Sequence, residues 1–171
     1  MFTYITSGTY DFLKKIAEKH TTENMLLMQS VQSSHLWHET SKATVFQSPR
    51  KYEVIDAAGD FSEVGFVACN NIPVRDEGRP VFEFGFTNQE KLIENEPGFI
   101  AMRVLRPLSS DTYVFMTMWE DEEAYEAWKS SKTFAKVHTQ TESAKSVGSV
   151  FSGPSYVSTF FVGHEEIEEA K

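Results

Sequence analysis

Three side chains in this sequence could act together on one flat ligand: Asn70, Trp128 and His138. Asn70 lies in the run VGFVACNNIPV (64–74). Strand alternation there puts Phe66, Ala68, Asn70, Ile72 and Val74 on one face, and Val67, Cys69, Asn71 and Pro73 on the other. An amide in an apolar row must find hydrogen-bond partners or water. Asn70 is therefore either a satisfied amide near the bend at Pro73 or a donor aimed at a ligand atom. A one-residue change of register would hand that role to Asn71. Trp128 and His138 lie in WEDEEAYEAWKSSKTFAKVH (119–138). This stretch reads as a strand end, a short amphipathic helix, a break at Ser130-Ser131 and a second helix carrying His138. Trp128 is either core at a helix–sheet interface or a flat wall against a flat ligand. Trp119, at the strand end, reads as structural.

His138 is either a half-exposed surface histidine or a metal ligand. A zinc or di-iron site would need a second ligand one helical turn away, and Glu142 falls beyond the helix end. A protein-only metal site is therefore not expected. A lone neutral imidazole can still serve as the single axial ligand of a haem iron, because the porphyrin supplies four nitrogens. Ten residues along one straight helix leave Trp128 and His138 about 80° apart in azimuth. A kink at Ser130-Ser131 would let both address one pocket.

Other chemistries are poorly served. Neither GxGxxG nor GxxxxGK[ST] occurs, and there is no G-x-S-x-G elbow. His20, His35 and His38 lack ligand spacing, and His35 and His38 are expected at the surface. Cys69 reads as an inert buried thiol.

The elements that must position these residues follow from periodicity. Residues 2–6 read as a strand, and Thr9 caps a helix to about Lys19 with Phe12, Leu13 and Ile16 on one face. Strands are predicted over residues 24–31 and 35–39, with a short one over 44–47. Residues 51–58 are ambiguous between strand and helix, and 59–63 form a polar junction. A cleaner unit follows: strand 64–74, helix 78–94, strands 99–108 and 112–119, helices 122–130 and 132–140, loop 142–148 and strand 156–162. Its β-α-β-β-α-β order is the ferredoxin-like pattern of an antiparallel sheet with helices on one face.

The expectation is an α+β protein. Residues 1–63 form a shorter, related β-α-β-β half, residues 64–163 the ferredoxin-like domain, and residues 164–171 an acidic tail. In strand 112–119, Tyr113, Phe115 and Thr117 alternate with Val114, Met116 and Met118. The helix-free face is thus apolar, and either the N-terminal half or a second chain must cover it.

Composition narrows the partners. The chain has 171 residues, 40% hydrophobic, with fourteen phenylalanines, enough for a sizeable core. Net charge is −9, from 25 acidic and 16 basic residues, which argues against a nucleic-acid partner. One cysteine permits no intrachain disulfide and fits a reducing compartment. The N-terminal residues do not resemble a signal peptide, and no apolar run approaches the ~18 residues of a membrane span. A cytoplasmic location is expected.

From Phe66 to His138 the chain resembles the antibiotic-biosynthesis-monooxygenase domain, in its IsdG-type haem-degrading branch. The match rests on Asn70 in FVACNNI, on EPGFIAMRVLRP, and on AYEAWKSSKTFAKVH with its offset of ten from Trp128 to His138. YITSGTYDFLKKI, SPRKYEVID and SGPSYVSTFF extend the resemblance to the long HmoB-type subgroup and, more distantly, to the TRAP-like staphylococcal group.

The resemblance implies roles for the three residues. His138 would be the proximal ligand of haem iron, Asn70 a distal hydrogen-bond donor, and Trp128 the residue that presses on the porphyrin. It implies a haem oxygenase that uses haem as substrate and cofactor, with O2 and electrons from an external reductase. Short members of the family are dimers. Here the extra N-terminal half would replace the partner subunit and make a monomer. The TRAP-like group, ascribed a signalling role, and cofactor-free monooxygenases of the same domain family are the alternatives.

Overall fold

Alternating apolar side chains along eight strands, each with two faces to bury, shape this fold. The structure, a computed structural model, describes residues 1–86, 93–134 and 150–163. His138, most of the helix expected over 132–140, part of the helix expected over 78–94, the loop 142–148 and the tail 164–171 lie outside the described residues. The elements run β1 (Phe2–Gly8), α1 (Tyr10–Lys19), β2 (Asn24–Gln29), β3 (Ser34–Thr40), β4 (Arg50–Ala58) and β5 (Gly65–Pro73). A 3₁₀ turn (Asp76–Gly78) leads into α2 (Arg79–Phe86), followed by β6 (Phe99–Pro107), β7 (Thr112–Trp119), α3 (Glu122–Lys129) and β8 (Tyr156–Val162).

The strands close into one antiparallel barrel in the order β1-β3-β2-β8-β5-β7-β6-β4. Within it β5 to β8 lie as β8-β5-β7-β6, and β1 to β4 lie in the same permutation, β4-β1-β3-β2. The apolar face that needed covering thus curls inward and becomes the barrel interior. Eight strands leave an interior just wide enough for side chains to fill. Ile5, Met28, Trp37, Val67, Cys69, Leu105, Val114, Met116, Met118 and Val162 pack there. Each fully buried side chain of this kind contributes about 1.5–3 kcal/mol.

Two further cores lie outside the barrel wall. Over β1–β3, α1 starts at Thr9, whose side chain accepts the Phe12 N–H at 3.3 Å. The helix buries Leu13 against Leu36 and Phe46. Phe12, expected beside Leu13 on the buried face, is exposed, because only the narrow strip of α1 around Leu13 meets the sheet. Over β5–β7, α2 and α3 cover the cluster of Phe66, Ile72, Phe82, Tyr113, Trp119 and Trp128.

Two further expectations need correction, and one open reading is resolved. Residues 44–47 form no strand. Instead Thr44 Oγ1 bonds His38 Nδ1 at 3.0 Å and accepts the Phe46 N–H, folding the loop so that Phe46 seals α1. Residues 50–58, ambiguous in the sequence, are strand β4, held on both sides by β1 and β6. Neither His35 nor His38 belongs to the open surface. His38 is fully buried, with Nε2 2.9 Å from Glu23, and half-buried His35 packs on Phe160 with ring centroids 4.9 Å apart. Barrel closure turns odd-numbered β3 residues inward and places even-numbered ones beneath α1.

Candidate functional site

β5 pairs with β7 on one side and β8 on the other, so its outward residues form the middle of a floor. Asn70 stands opposite Phe115 on β7 and Val157 on β8, while Ala68 stands opposite Thr117 and Thr159. Above this floor lies α3. Its N-cap is Asp121, whose carboxylate accepts the Ala124 N–H at 2.8 Å. Glu122 and Glu123 occupy the first turn, where the helix dipole favours negative charge. Tyr125 and Trp128, three residues apart, both turn down towards the floor and are buried.

The break expected at Ser130-Ser131 is present. Ser130 is the C-cap of α3, and the Ser131 N–H closes on Trp128 O at 2.9 Å. The Ser131 hydroxyl then accepts the Phe134 N–H at 3.2 Å and starts a new helical turn. Phe134 meets Trp128 edge to face, with centroids 5.0 Å apart and planes at 89°. Trp128 also lies against Trp119, at 5.2 Å and 31°.

Between floor and helix is a cavity of about 390 Å³. Phe66, Ala68, Asn70, Phe115 and Thr117 form its base; Tyr125, Trp128 and Phe134 form its roof; Glu122, Glu126 and Lys129 stand at its rim. Asn70 and Trp128, picked out from the sequence, are thus brought to one cavity. Asn70 is partly exposed, and its side chain has no hydrogen-bond partner among the described residues. The Trp128 indole N–H is buried and likewise unpartnered. Asn71 points to the opposite face, where its amide donates to Cys69 O, Tyr156 O and Ser158 Oγ, each at 3.2 Å. Register therefore settles which asparagine meets the cavity. Phe134, four residues before His138 in the sequence, is the last described residue on that side.

The described lining is largely aromatic, with its charged side chains at the rim. Burial raises the Tyr125 phenol above its ordinary range, so it stays a protonated donor. Lys129 is held 3.2 Å from Glu126 and lies over the Tyr125 ring. Burial pushes the Cys69 thiol up to about 12, and its strand parity turns it into the barrel, so it is no nucleophile. No group of three metal-ligating side chains occurs among the described residues. At the far end of the sheet, Glu83 on α2 bonds both Arg106 and the Tyr113 hydroxyl. Arg106 first, and Tyr113 next, hold the Glu83 carboxyl below its ordinary value against the effect of burial. This network fixes α2 to the sheet and does not reach the cavity lining.

Sequence reasoning did not single out Tyr125, Phe134 or Thr117 as lining residues. Tyr125 was within reach, since it sits three residues before Trp128 and shares its helix face.

A curved antiparallel sheet, closed into a barrel and carrying a helix-roofed cavity, defines a ferredoxin-like protein. Antibiotic biosynthesis monooxygenase is the family whose profile matches, over residues 66–140. The chain is 33% identical over 131 residues to the signal transduction protein TRAP of Staphylococcus aureus, spanning 77% of this chain and 78% of that one. It carries an antibiotic biosynthesis monooxygenase domain and belongs to the same family as staphylococcal TRAP. A structure of a major regulator of staphylococcal pathogenesis superposes with a TM-score of 0.84 at 28% identity, covering 96% of this chain and 100% of that one. LmHde, a heme-degrading enzyme from Listeria monocytogenes, shares the fold, with a TM-score of 0.73 at 20% identity over 95% of this chain and 99% of that one. No helix among the described residues is long and apolar enough to cross a membrane.

Proposed function

We propose that this protein is a haem-degrading monooxygenase of the IsdG type, with the cavity under Trp128 as its haem site. One observation carries the reading: Asn70 and Trp128, the two described members of the family's Asn–Trp–His set, line one aromatic cavity with unpartnered polar atoms. The described residues fit the group. Trp128, Phe134, Phe66 and Phe115 offer apolar walls to a flat macrocycle, and Asn70 offers a donor from the floor. The family resemblance names His138 as the iron ligand; it lies outside the described residues. Haem, when bound, supplies both the iron that activates O2 with electrons from an external reductase and the porphyrin that is opened.

The chain's own residues then have separable tasks. Trp128, pinned between Trp119 and Phe134, would press on a bound macrocycle. Asn70 would offer its amide as a donor to a bound macrocycle from the floor. The apolar roof excludes bulk water, and Tyr125 stays neutral beneath Lys129. With β1–β4 completing the barrel, the chain acts as a monomer.

The test is titration of the purified protein with haemin. A shifted Soret band is the expected result, lost in His138→Ala, altered in Asn70→Leu and retained in Asn71→Ala. Ascorbate or a reductase in air should then bleach the Soret band. A wild-type protein that leaves the haemin spectrum unchanged sinks the reading. Binding without bleaching leaves the second reading, a haem-binding or signalling protein without catalysis, which the TRAP relationship favours. The rim favours a third. Among the described residues there, Glu122 and Glu126 face one cation, Lys129, an arrangement that repels a neutral polycyclic substrate less than a dicarboxylate. Turnover of such a substrate without iron would establish a cofactor-free monooxygenase.

A further inference from the structure

We propose that Thr117 is a second ligand-facing hydrogen-bond donor in this cavity, held to that task by Trp119. The inference deepens the haem reading above and rests on it. Thr117 lies in the middle of β7, is buried, and lines the cavity floor beside Ala68 and Asn70. In the β5–β7 ladder Thr117 stands opposite Ala68, and Phe115 stands opposite Asn70. Thr117 and Asn70 are therefore diagonal neighbours on one face.

The Thr117 oxygen is 2.9 Å from Trp119 Nε1. An indole nitrogen only donates, so the direction of this bond is fixed and the threonine oxygen is the acceptor. The single hydroxyl proton is left for some other acceptor. None among the described residues takes it. Of the side chains that line the cavity with it, Phe66, Ala68 and Phe115 offer only carbon, and the Trp128 indole only donates. Trp119 is fully buried between Phe99 and Trp128, so it holds the oxygen in place. Ala68 opposite is too small to cover the hydroxyl. A buried hydroxyl with an unspent proton is completed by an acceptor that arrives with the ligand.

The acceptor's class follows from the layout. If the helix side supplies the iron ligand, the floor faces the other side of the macrocycle, where the outer atom of a small diatomic ligand arrives. Asn70 and Thr117 then present two donors from adjacent strands to that atom.

The probe is carbon monoxide on the ferrous haem-loaded protein, read by its C–O stretch. A hydrogen bond to the oxygen lowers that frequency. Thr117→Val should move the stretch to higher wavenumber and Thr117→Ser should restore the wild-type value. Thr117→Ala, a second hydroxyl-free variant, should repeat the shift if Val is poorly tolerated. Asn70→Leu should shift the stretch too, and the double variant further. Haemin should still perturb the Soret band in the Thr117 variants, since the family resemblance assigns the iron ligand to His138. In the haem-free protein, the Trp119 indole N–H resonance should move in Thr117→Val and stay in Thr117→Ser. An unchanged C–O stretch in the hydroxyl-free variants overturns this inference while leaving the haem reading intact. A wild-type protein that does not perturb haemin overturns both.

Discussion

His35 shows how one residue reports on the closed barrel. It faces inward from β3 against Phe160, with Arg50 adding a like charge nearby. Burial first, and Arg50 second, lower it from 6.5 to about 4. The unfolded chain therefore takes up this proton at a higher pH than the folded one. Above pH 6.5 both states are neutral at His35 and it has no effect on stability. As pH falls from 6.5 towards 4 the unfolded state gains, and stability drops. A tenfold difference in proton affinity between the two states is worth about 1.4 kcal/mol, and partial exposure screens the effect, so the loss is on the order of 2 kcal/mol. Urea melts at pH 7 and pH 4.5 should show it, and His35→Phe should remove this part of the pH dependence. Equal acid sensitivity in the variant and the wild type would place the acid-labile group elsewhere.

At the scale of elements, α3 decides whether the cavity has a roof. It is only eight residues long, too short to hold itself together in water. Its stability comes from packing Tyr125 and Trp128 on the floor and from the Asp121 cap. Asp121→Ala removes that cap at a cost of about 1 kcal/mol, and Asp121→Ser should recover most of it. The same substitution should loosen Trp128, visible as a red shift in tryptophan fluorescence and weaker haemin binding. Unchanged fluorescence and affinity would mean that packing alone holds the roof.

The same scale separates what the sequence reveals from what it conceals. The face carrying Asn70, the α3 helix and the break after it are local patterns of period 2 or 3.6, and each is legible residue by residue. The coil at 44–47 is not, because Thr44 and Phe46 are β-formers whose placement depends on His38 and α1, which lie elsewhere in the chain. His35 and His38 looked like surface residues because nothing local says that β3 will be covered on both faces. Thr117 read as an ordinary strand residue; only the Trp119 indole on its oxygen distinguishes it.

For the whole molecule, closure depends on joining strands far apart in sequence, and the joins are unequal. β4 and β6 share six register pairs, while β2 and β8 share two. Near the longer join an ion pair crosses the barrel interior from β3 to β6. Arg103 bonds Glu39 through Nε at 2.7 Å and Nη2 at 3.2 Å. Arg103 Nη1 donates to the carbonyls of Ala58, Gly59 and Met102 at 3.0, 2.9 and 2.8 Å. Gly59 reaches this position with φ of +72°, and a Cβ there would meet Ile100 O at 2.0 Å. Asn24 donates to Glu39 at 3.3 Å, and Phe61 lies 4.7 Å over the guanidinium. The pair is therefore both buried and well satisfied.

Desolvating two charges offsets most of their attraction, so such a pair contributes little net stability, yet breaking it strands a charge in the interior. Glu39→Ala or Arg103→Ala alone should cost about 3–5 kcal/mol, whereas the double variant Glu39→Leu/Arg103→Met should lie within about 1–2 kcal/mol of wild type. A denaturation cycle over the four proteins measures the coupling. Additive losses would show that the two side chains act separately. A stable, well-folded double variant would show that the barrel's closure rests on its apolar filling and strand pairing.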